Sequence, residues 1–558
     1  MKQSNWWKNA VVYQIYPRSF QDSNNDGIGD LQGIKDRIPY LKKLGVDVIW
    51  LNPIYDSPDQ DNGYDISDYR NIASKYGSLK DFKQLLNTLH EQNMKLVMDL
   101  VVNHTSDQHD WFKASRKSRS NKYSDYYIWR DPVNGHEPNN WGSSFGGSAW
   151  TYVPERKQYY LHLFAEGQPD LNWENPQVRQ SVYEIMRYWL DMGIDGYRMD
   201  VINFISKPEG LPDYPCVPGA KYSNSQAAVA DGPRLNEFLQ EMNREVLSKY
   251  DIMTVGEMPN VTPEDAINYT GLDRKELNMV FQFEHVSLGA NPDPRFGQWN
   301  DEPINLVELK QVLSKWQNKL NGKAWNSLYW NNHDRPRAVS HFANDDPKYR
   351  INAAKMLGTT LHMMQGTPYI YEGEEIGMTN AHLTSIDQYE DIESLNIYHD
   401  LVEKEAITDS QTMLKYLASI SRDNARTPMQ WDDSNNAGFT EGTPWYRLND
   451  NYPTINVKQA LSDKESVFYH YQKLVELRHQ YEIIRLGSYN LLDPQDEEVF
   501  AYERIYNNQK LLVISNFTDS KLQREYNEEL KGHLLISNYK DDLGMTLRPY
   551  ESKVYLLD

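Results

Sequence analysis

Gly196-Tyr197-Arg198-Met199-Asp200 closes a run of strand length and is followed by sequence that can supply a helix. Three other segments share this build: Asp99-Leu100-Val101-Val102-Asn103-His104, Thr254-Val255-Gly256-Glu257 and Asn331-Asn332-His333-Asp334. Each delivers an acid or a histidine where a buried strand would stop. A parallel barrel brings all its strand ends to one rim, so groups far apart in sequence meet there. Three carboxylates on such a rim, Asp200, Glu257 and Asp334, are what cleavage of a glycosidic bond requires.

Around these segments, apolar β-branched runs recur at 11–16, 46–53, 96–102, 196–201, 253–257, 279–283, 327–330 and 368–371. Between them, 31–44, 79–92, 175–192 and 234–249 carry apolar residues at helical spacing. The alternation predicts an α/β fold, a (β/α)8 TIM barrel spanning 1–104 and 174–484. The stretch 105–173 carries no barrel unit and is rich in aromatic and small polar residues, among them Trp111, Trp129, Trp141, Trp150, Tyr159 and Tyr160. A connection of that length has structure of its own, so an excursion subdomain is expected after the third strand. From 485 to 558 the pattern changes to short strands, at 499–505, 510–517 and 552–557, which predicts a C-terminal antiparallel β domain.

The 558 residues carry a net charge of −21. Phosphate backbones are bound by clustered Lys and Arg, so nucleic acid is not an expected partner. A neutral small oligosaccharide is not repelled. The single cysteine, Cys216, excludes a disulfide within the chain and any cysteine-based metal site. The first ten residues are polar, and no window approaches the roughly 18 apolar residues of a membrane span. A cytoplasmic monomer without membrane contacts is expected.

Residues two apart in a strand project to one face, which makes Arg198 and Asp200 neighbours. A guanidinium favours the ionised carboxylate, and an ionised carboxylate can attack an anomeric carbon. Glu257, as a general acid, needs burial or nearby negative charge to keep its proton near neutral pH. If configuration is retained, acid and nucleophile stand about 5–5.5 Å apart. His104 and His333 can donate to sugar hydroxyls, and an ionised Asp334 can favour positive charge on the sugar ring. No cofactor is required for this chemistry. Separately, Asp22, Asn24, Asp26, the Ile28 carbonyl and Asp30 place oxygens at alternate positions around Gly27, like the opening of a calcium loop. The glutamate that closes an EF-hand is missing. A structural Ca2+, or Mg2+ in its place, is expected far from the chemistry.

At the four rim segments the chain resembles the α-amylase superfamily, glycoside hydrolase family 13, and the resemblance extends over essentially the whole length. It implies Asp200 as nucleophile, Glu257 as acid/base and Asp334 as transition-state stabiliser, with Arg198, His104 and His333 holding the sugar. Within the family the chain is most similar to oligo-1,6-glucosidases (isomaltases) and related α-glucosidases. Asp61-Asn62-Gly63-Tyr64-Asp65 matches the segment that closes the non-reducing end of the pocket. Arg422-Asp423-Asn424-Ala425-Arg426-Thr427-Pro428-Met429-Gln430-Trp431 matches the one whose first arginine pairs with that aspartate. The calcium loop is also a feature of this subgroup.

A closed end implies exo cleavage, one glucose at a time. Val201 after Asp200 is the residue of relatives preferring α-1,6 bonds, where those acting on α-1,4 bonds or sucrose carry Ala or Thr. Two features depart from the subgroup. Arg335 stands where Gln is common, and the run from His333 to Phe342 is similar to sucrose isomerases. Those enzymes carry a charged stretch after the sixth strand, where this chain has Val286-Ser287-Leu288-Gly289-Ala290. The alternatives are therefore a sucrose isomerase or transglucosylase, and an α-glucosidase of mixed or α-1,4 specificity. A non-catalytic, membrane-anchored relative fits least, since the acid set is complete.

Overall fold

Eight short segments in which every residue but Lys95 is buried form the parallel barrel of a computed structural model that describes residues 4–526 and 532–557. They are Val12–Ile15, Val48–Leu51, Lys95–Leu100, Gly196–Met199, Met253–Glu257, Met279–Phe281, Ser327–Leu328 and Thr367–Tyr371. Their order in the sheet is six-five-four-three-two-one-eight-seven. Side chains span the remaining seam, as Ser327 Oγ donates to the Val280 carbonyl at 2.6 Å and Tyr329 OH to that of Gln282 at 2.6 Å. Register sets Arg198 opposite Asp99 on strand three and Glu257 opposite Phe281 on strand six. The acidic strand ends therefore share one rim. Gly256 makes this possible, because a Cβ there would sit 2.8 Å from Leu277 Cδ1 and 2.9 Å from Ile202 Cγ2.

Two expected helices are broken. The 31–44 segment forms Leu31–Asp36 and Ile38–Leu44, joined at Arg37. Pro39 has no N–H to continue the ladder and is tolerated only in a helix's first turn. The 234–249 segment forms Leu235–Glu245 and then a 3-10 turn at Leu247–Lys249.

Within the excursion after strand three, Trp129–Arg130, Gln158–Leu161 and Trp150–Val153 build an antiparallel sheet. The connection after strand four joins it, with Ser223–Asn224 paired to Trp141–Gly142. Trp141, Trp150, Leu161, Phe204 and Val229 form their own apolar cluster, with Val201 at its edge. Lys207 pins this layer to the barrel, its Nζ lying 2.6 Å from Asp170 and 2.7 Å from Asn103 Oδ1. A second excursion follows strand eight: helices Ile392–Tyr398 and Ser410–Ile420 pack against Phe296 and Trp299.

The C-terminal sheet is antiparallel and has five strands, in the order Ser488–Leu492, Val499–Tyr506, Gln509–Asn516, Ser552–Leu557 and Gly532–Ser537. The two strands that sequence pattern missed are its edges, where half-exposed residues weaken the apolar signal. Among the described residues no helix is long and apolar enough to cross a membrane.

Candidate active site

Arg198 organises the rim. Its side chain is buried, and its Nη1 lies 2.7 Å from Asp200 Oδ1 and 3.6 Å from Asp99 Oδ1. Nη2 reaches Glu257 Oε2 at 2.7 Å. One cation thus serves three carboxylates. Burial, opposed by Arg198, pushes Asp200 up to about 7 and Glu257 to about 7, and Asp99 rises to about 6 for the same reason. The Asp200 charge is among the causes that raise Glu257, so the two carboxyls titrate as a pair and near neutral pH the pair retains one proton. The Val201 N–H donates to Glu257 Oε2 at 3.1 Å. To do so Val201 takes φ 33° and ψ 44°, a left-handed conformation that costs a β-branched residue about 1–3 kcal/mol.

Asp334 sits in a different field. His333 Nε2 lies 2.9 Å from its Oδ2, while Arg426 Nη2 and Arg422 Nη1 donate to its Oδ1 at 2.9 and 3.3 Å. Burial favours the neutral acid, but His333 and the two arginines outweigh it and hold Asp334 well below the usual carboxylate range. Burial also lowers His333 and His104, favouring neutral imidazoles. The Gln14 amide donates to His333 Nδ1 at 2.9 Å, which leaves the ring proton on Nε2. Tyr64 OH lies 2.8 Å from that Nε2 and donates to Asp99 Oδ2 at 2.7 Å.

Asp61 receives the Gln168 amide at 3.1 Å and lies 3.5 Å from Arg422 Nη2. Its Oδ1 is the oxygen that faces Arg422 Nη2, but it accepts no hydrogen bond, so it keeps capacity to accept one from a ligand. His104 Nε2 donates to the Tyr64 carbonyl at 3.2 Å. Asp61, Tyr64, His104, Asp200, Val201, Glu257, Asp334 and Arg422 all line one cavity of about 530 Å³. The rim residues expected from sequence are therefore brought together, with Arg198 and His333 directly behind them.

Several residues of this site escaped the sequence reading. Arg422 bonds Asp391 more closely than Asp61, at 2.5 Å, and Glu393 Oε2 lies 3.6 Å from its Nε. Asp391 also caps the Ile392–Tyr398 helix, its side chain accepting from the Ser394 N–H. Arg426 was legible only as part of a motif. Phe145 and Phe164, from the excursion after strand three, supply apolar wall.

Comparison with known proteins decides the family. The model of the α-amylase catalytic domain matches residues 14–487. The chain belongs to the α-amylase family. This family member is a glycoside hydrolase, and it is 57% identical to an oligo-1,6-glucosidase of Parageobacillus thermoglucosidasius over 99% of its own length and 98% of the relative's. Among solved structures, Bacillus licheniformis trehalose-6-phosphate hydrolase superposes with a TM-score of 0.92 at 49% identity, covering 99% of this chain and 100% of that one. The isomaltulose synthase SmuA of Protaminobacter rubrum gives 0.95 at 42% identity, with 99% of each chain covered. The shared scaffold thus serves several fates of a glucosyl unit, and the family alone does not choose among them.

Proposed function

We propose that this α-amylase-family enzyme is a retaining, exo-acting α-glucosidase. It cuts the α-1,6 bonds of isomaltose and short isomalto-oligosaccharides from the non-reducing end and releases glucose. The observation that carries this reading is the wall formed by Asp61, Tyr64, His104 and Arg422 beside Asp200, Glu257 and Asp334 in a single cavity. A pocket walled by an arginine and a carboxylate oxygen that pairs with it but accepts no hydrogen bond suits the hydroxyls of one terminal hexose. The oligo-1,6-glucosidase names of relatives at 52–57% identity support the linkage, while the isomaltulose synthases stand further off at 42–43%.

In this mechanism the ionised Asp200 attacks the anomeric carbon while Glu257 gives its proton to the departing oxygen. The glucosyl–Asp200 ester forms, and water then resolves it with Glu257 as base. Asp334, kept ionised by its arginines, favours the positive charge that develops on the ring. Arg198 sets the angle between nucleophile and acid. Side-by-side turnover of isomaltose, panose, maltose and sucrose tests the reading. Glucose released fastest from isomaltose supports it; isomaltulose or trehalulose from sucrose as the main product contradicts it.

The 22–30 loop is proposed as a structural Ca2+ site. Its donors are all oxygens, which suits a hard cation. Asn24 Oδ1 accepts the Asp26 N–H and Asp26 Oδ1 the Ile28 N–H, both at 2.9 Å, bending the loop into a ring. Gly27, at φ 90°, permits the turn, and a Cβ there would meet the Thr443 carbonyl at 1.8 Å. Among the described residues no three acidic, histidine or cysteine side chains are grouped as a metal cage, and the Asp22 and Asp30 oxygens accept bonds from the loop's own N–H groups and that of Gly33. The proposed set is Asp22, Asn24, Asp26, the Ile28 carbonyl and Asp30. A monomer in the cytoplasm is the companion proposal; for the compartment, an exposed unpaired Cys216 suits reducing conditions.

A further inference from the structure

Arg335 follows Asp334, yet its contacts lie with another part of the rim. Its guanidinium sits 5.1 Å from the Phe283 ring centre and donates through Nη1 to Gln298 Oε1 at 3.1 Å and to the Val286 carbonyl at 3.4 Å. All three partners belong to the segment after strand six. That strand flanks the one carrying Glu257, whose other neighbour is strand four. Barrel order therefore places the glucose-facing groups that follow strands two and three, Asp61, Tyr64 and His104, on one side of Glu257. Arg335 and Phe283 lie on the other. An acid that protonates the bridging oxygen stands between the two sugars, so whatever lies beyond it faces the leaving one.

Gln298 ties this side to the glucose clamp. Its amide donates to Glu393 Oε1 at 2.9 Å, and Glu393 Oε2 lies 3.6 Å from Arg422 Nε. Arg335, Gln298, Glu393 and Arg422 all line the catalytic cavity. Because both Arg335 bonds leave from Nη1, the Nη2 donors remain for a ligand.

We infer that Arg335 is a specificity-determining residue for the leaving sugar, donating to its hydroxyls, and that Gln298 is its positioning residue. The inference rests on the α-glucosidase reading above. A planar guanidinium braced on an aromatic ring presents paired donors in fixed directions, which suits neighbouring hydroxyls of a hexose. A leaving group without a ring gains nothing from it.

The test compares isomaltose with α-glucosyl fluoride, whose leaving group is a single ion. In Arg335→Ala, kcat/KM for isomaltose should fall by about 10–50-fold, mostly through KM, and the isomaltose-to-fluoride ratio by at least fivefold. Arg335→Lys should recover part of that ratio, and Gln298→Ala should lower it less. Arg335→Gln gives a second variant should the alanine fail to fold. Equal losses on both substrates, or an unmoved ratio, would overturn the inference. A wild-type enzyme that cleaves the fluoride but not isomaltose would instead defeat the α-1,6 reading. Arg335 would then be judged by the same ratio on whichever disaccharide is cleaved.

Discussion

The two ends of the catalytic cavity are built differently. At the glucose end, polar groups are held several times over: Arg422 touches Asp61, Asp334, Asp391 and Glu393, and Tyr64 bonds both Asp99 and His333. At the leaving-group end stand the methyls of Val201, the ring of Phe283 and the guanidinium of Arg335, with Arg295 further along the same wall. A closed network fixes one guest, because each wrong atom strands a buried polar group. A sparse wall discriminates weakly, since one methyl in a pocket is worth about 1–3 kcal/mol. On the proposed reading, the class of enzyme is set at one end of the cavity and its linkage preference at the other.

The junction between the ends should break hardest. Asp200→Asn and Glu257→Gln should each lower kcat on isomaltose by roughly 10³-fold or more, with circular dichroism unchanged. α-Glucosyl fluoride, which needs no acid, should restore much of the first step in Glu257→Gln but none in Asp200→Asn. Similar rescue of both would mean the roles are misassigned.

At the glucose end, Arg422→Ala leaves Asp61, Asp391 and Asp334 short of a counter-charge. Breaking a buried pair costs about 3–5 kcal/mol, so kcat/KM should drop by around 10²-fold or more on isomaltose and fluoride alike. A loss confined to isomaltose would put Arg422 at the wrong end of the cavity.

The pH profile sharpens the junction further. Activity needs Asp200 ionised and Glu257 protonated, and both are pushed up to about 7. As pH rises, kcat/KM should climb while the pair loses its first proton and decline once it loses the second, giving a bell centred near neutrality. The alkaline limb should vanish with the fluoride. If it persists there, it belongs to another group.

At the leaving-group end, Val201→Thr should lower the isomaltose-to-maltose ratio of kcat/KM by about tenfold. An unchanged ratio would remove Val201 from the account. Smallest of all, chelation or Asp26→Ala should lower Tm by a few degrees with little change in kcat, since the 22–30 loop touches neither end. A Tm indifferent to Ca2+ would remove the ion.

Sequence revealed what depends on strand ends. Asp200, Glu257 and Asp334 follow apolar runs whose strand period is plain, and a barrel has only one place to bring them. The three-carboxylate demand on Arg198 was half visible, since Arg198 and Asp200 lie two apart, but Asp99 joins through register between strands. Asp391, Glu393 and Gln298 were not legible. They sit in long connections, where position is set by tertiary packing, such as that of Phe296 and Trp299 against the Ser410–Ile420 helix, and not by any local period. The break at Arg37 was readable in principle from Pro39, and the two outer strands of the C-terminal sheet were hidden by their half-polar faces.

The most direct test follows isomaltotriose by proton NMR through the first minutes of reaction. A cavity that seats one glucose beside Asp200 and Glu257 predicts glucose released first as the α anomer, with isomaltose as the co-product. Glucose appearing first as the β anomer, or products that require an entry from the reducing end, would contradict both the double displacement and the closed glucose pocket.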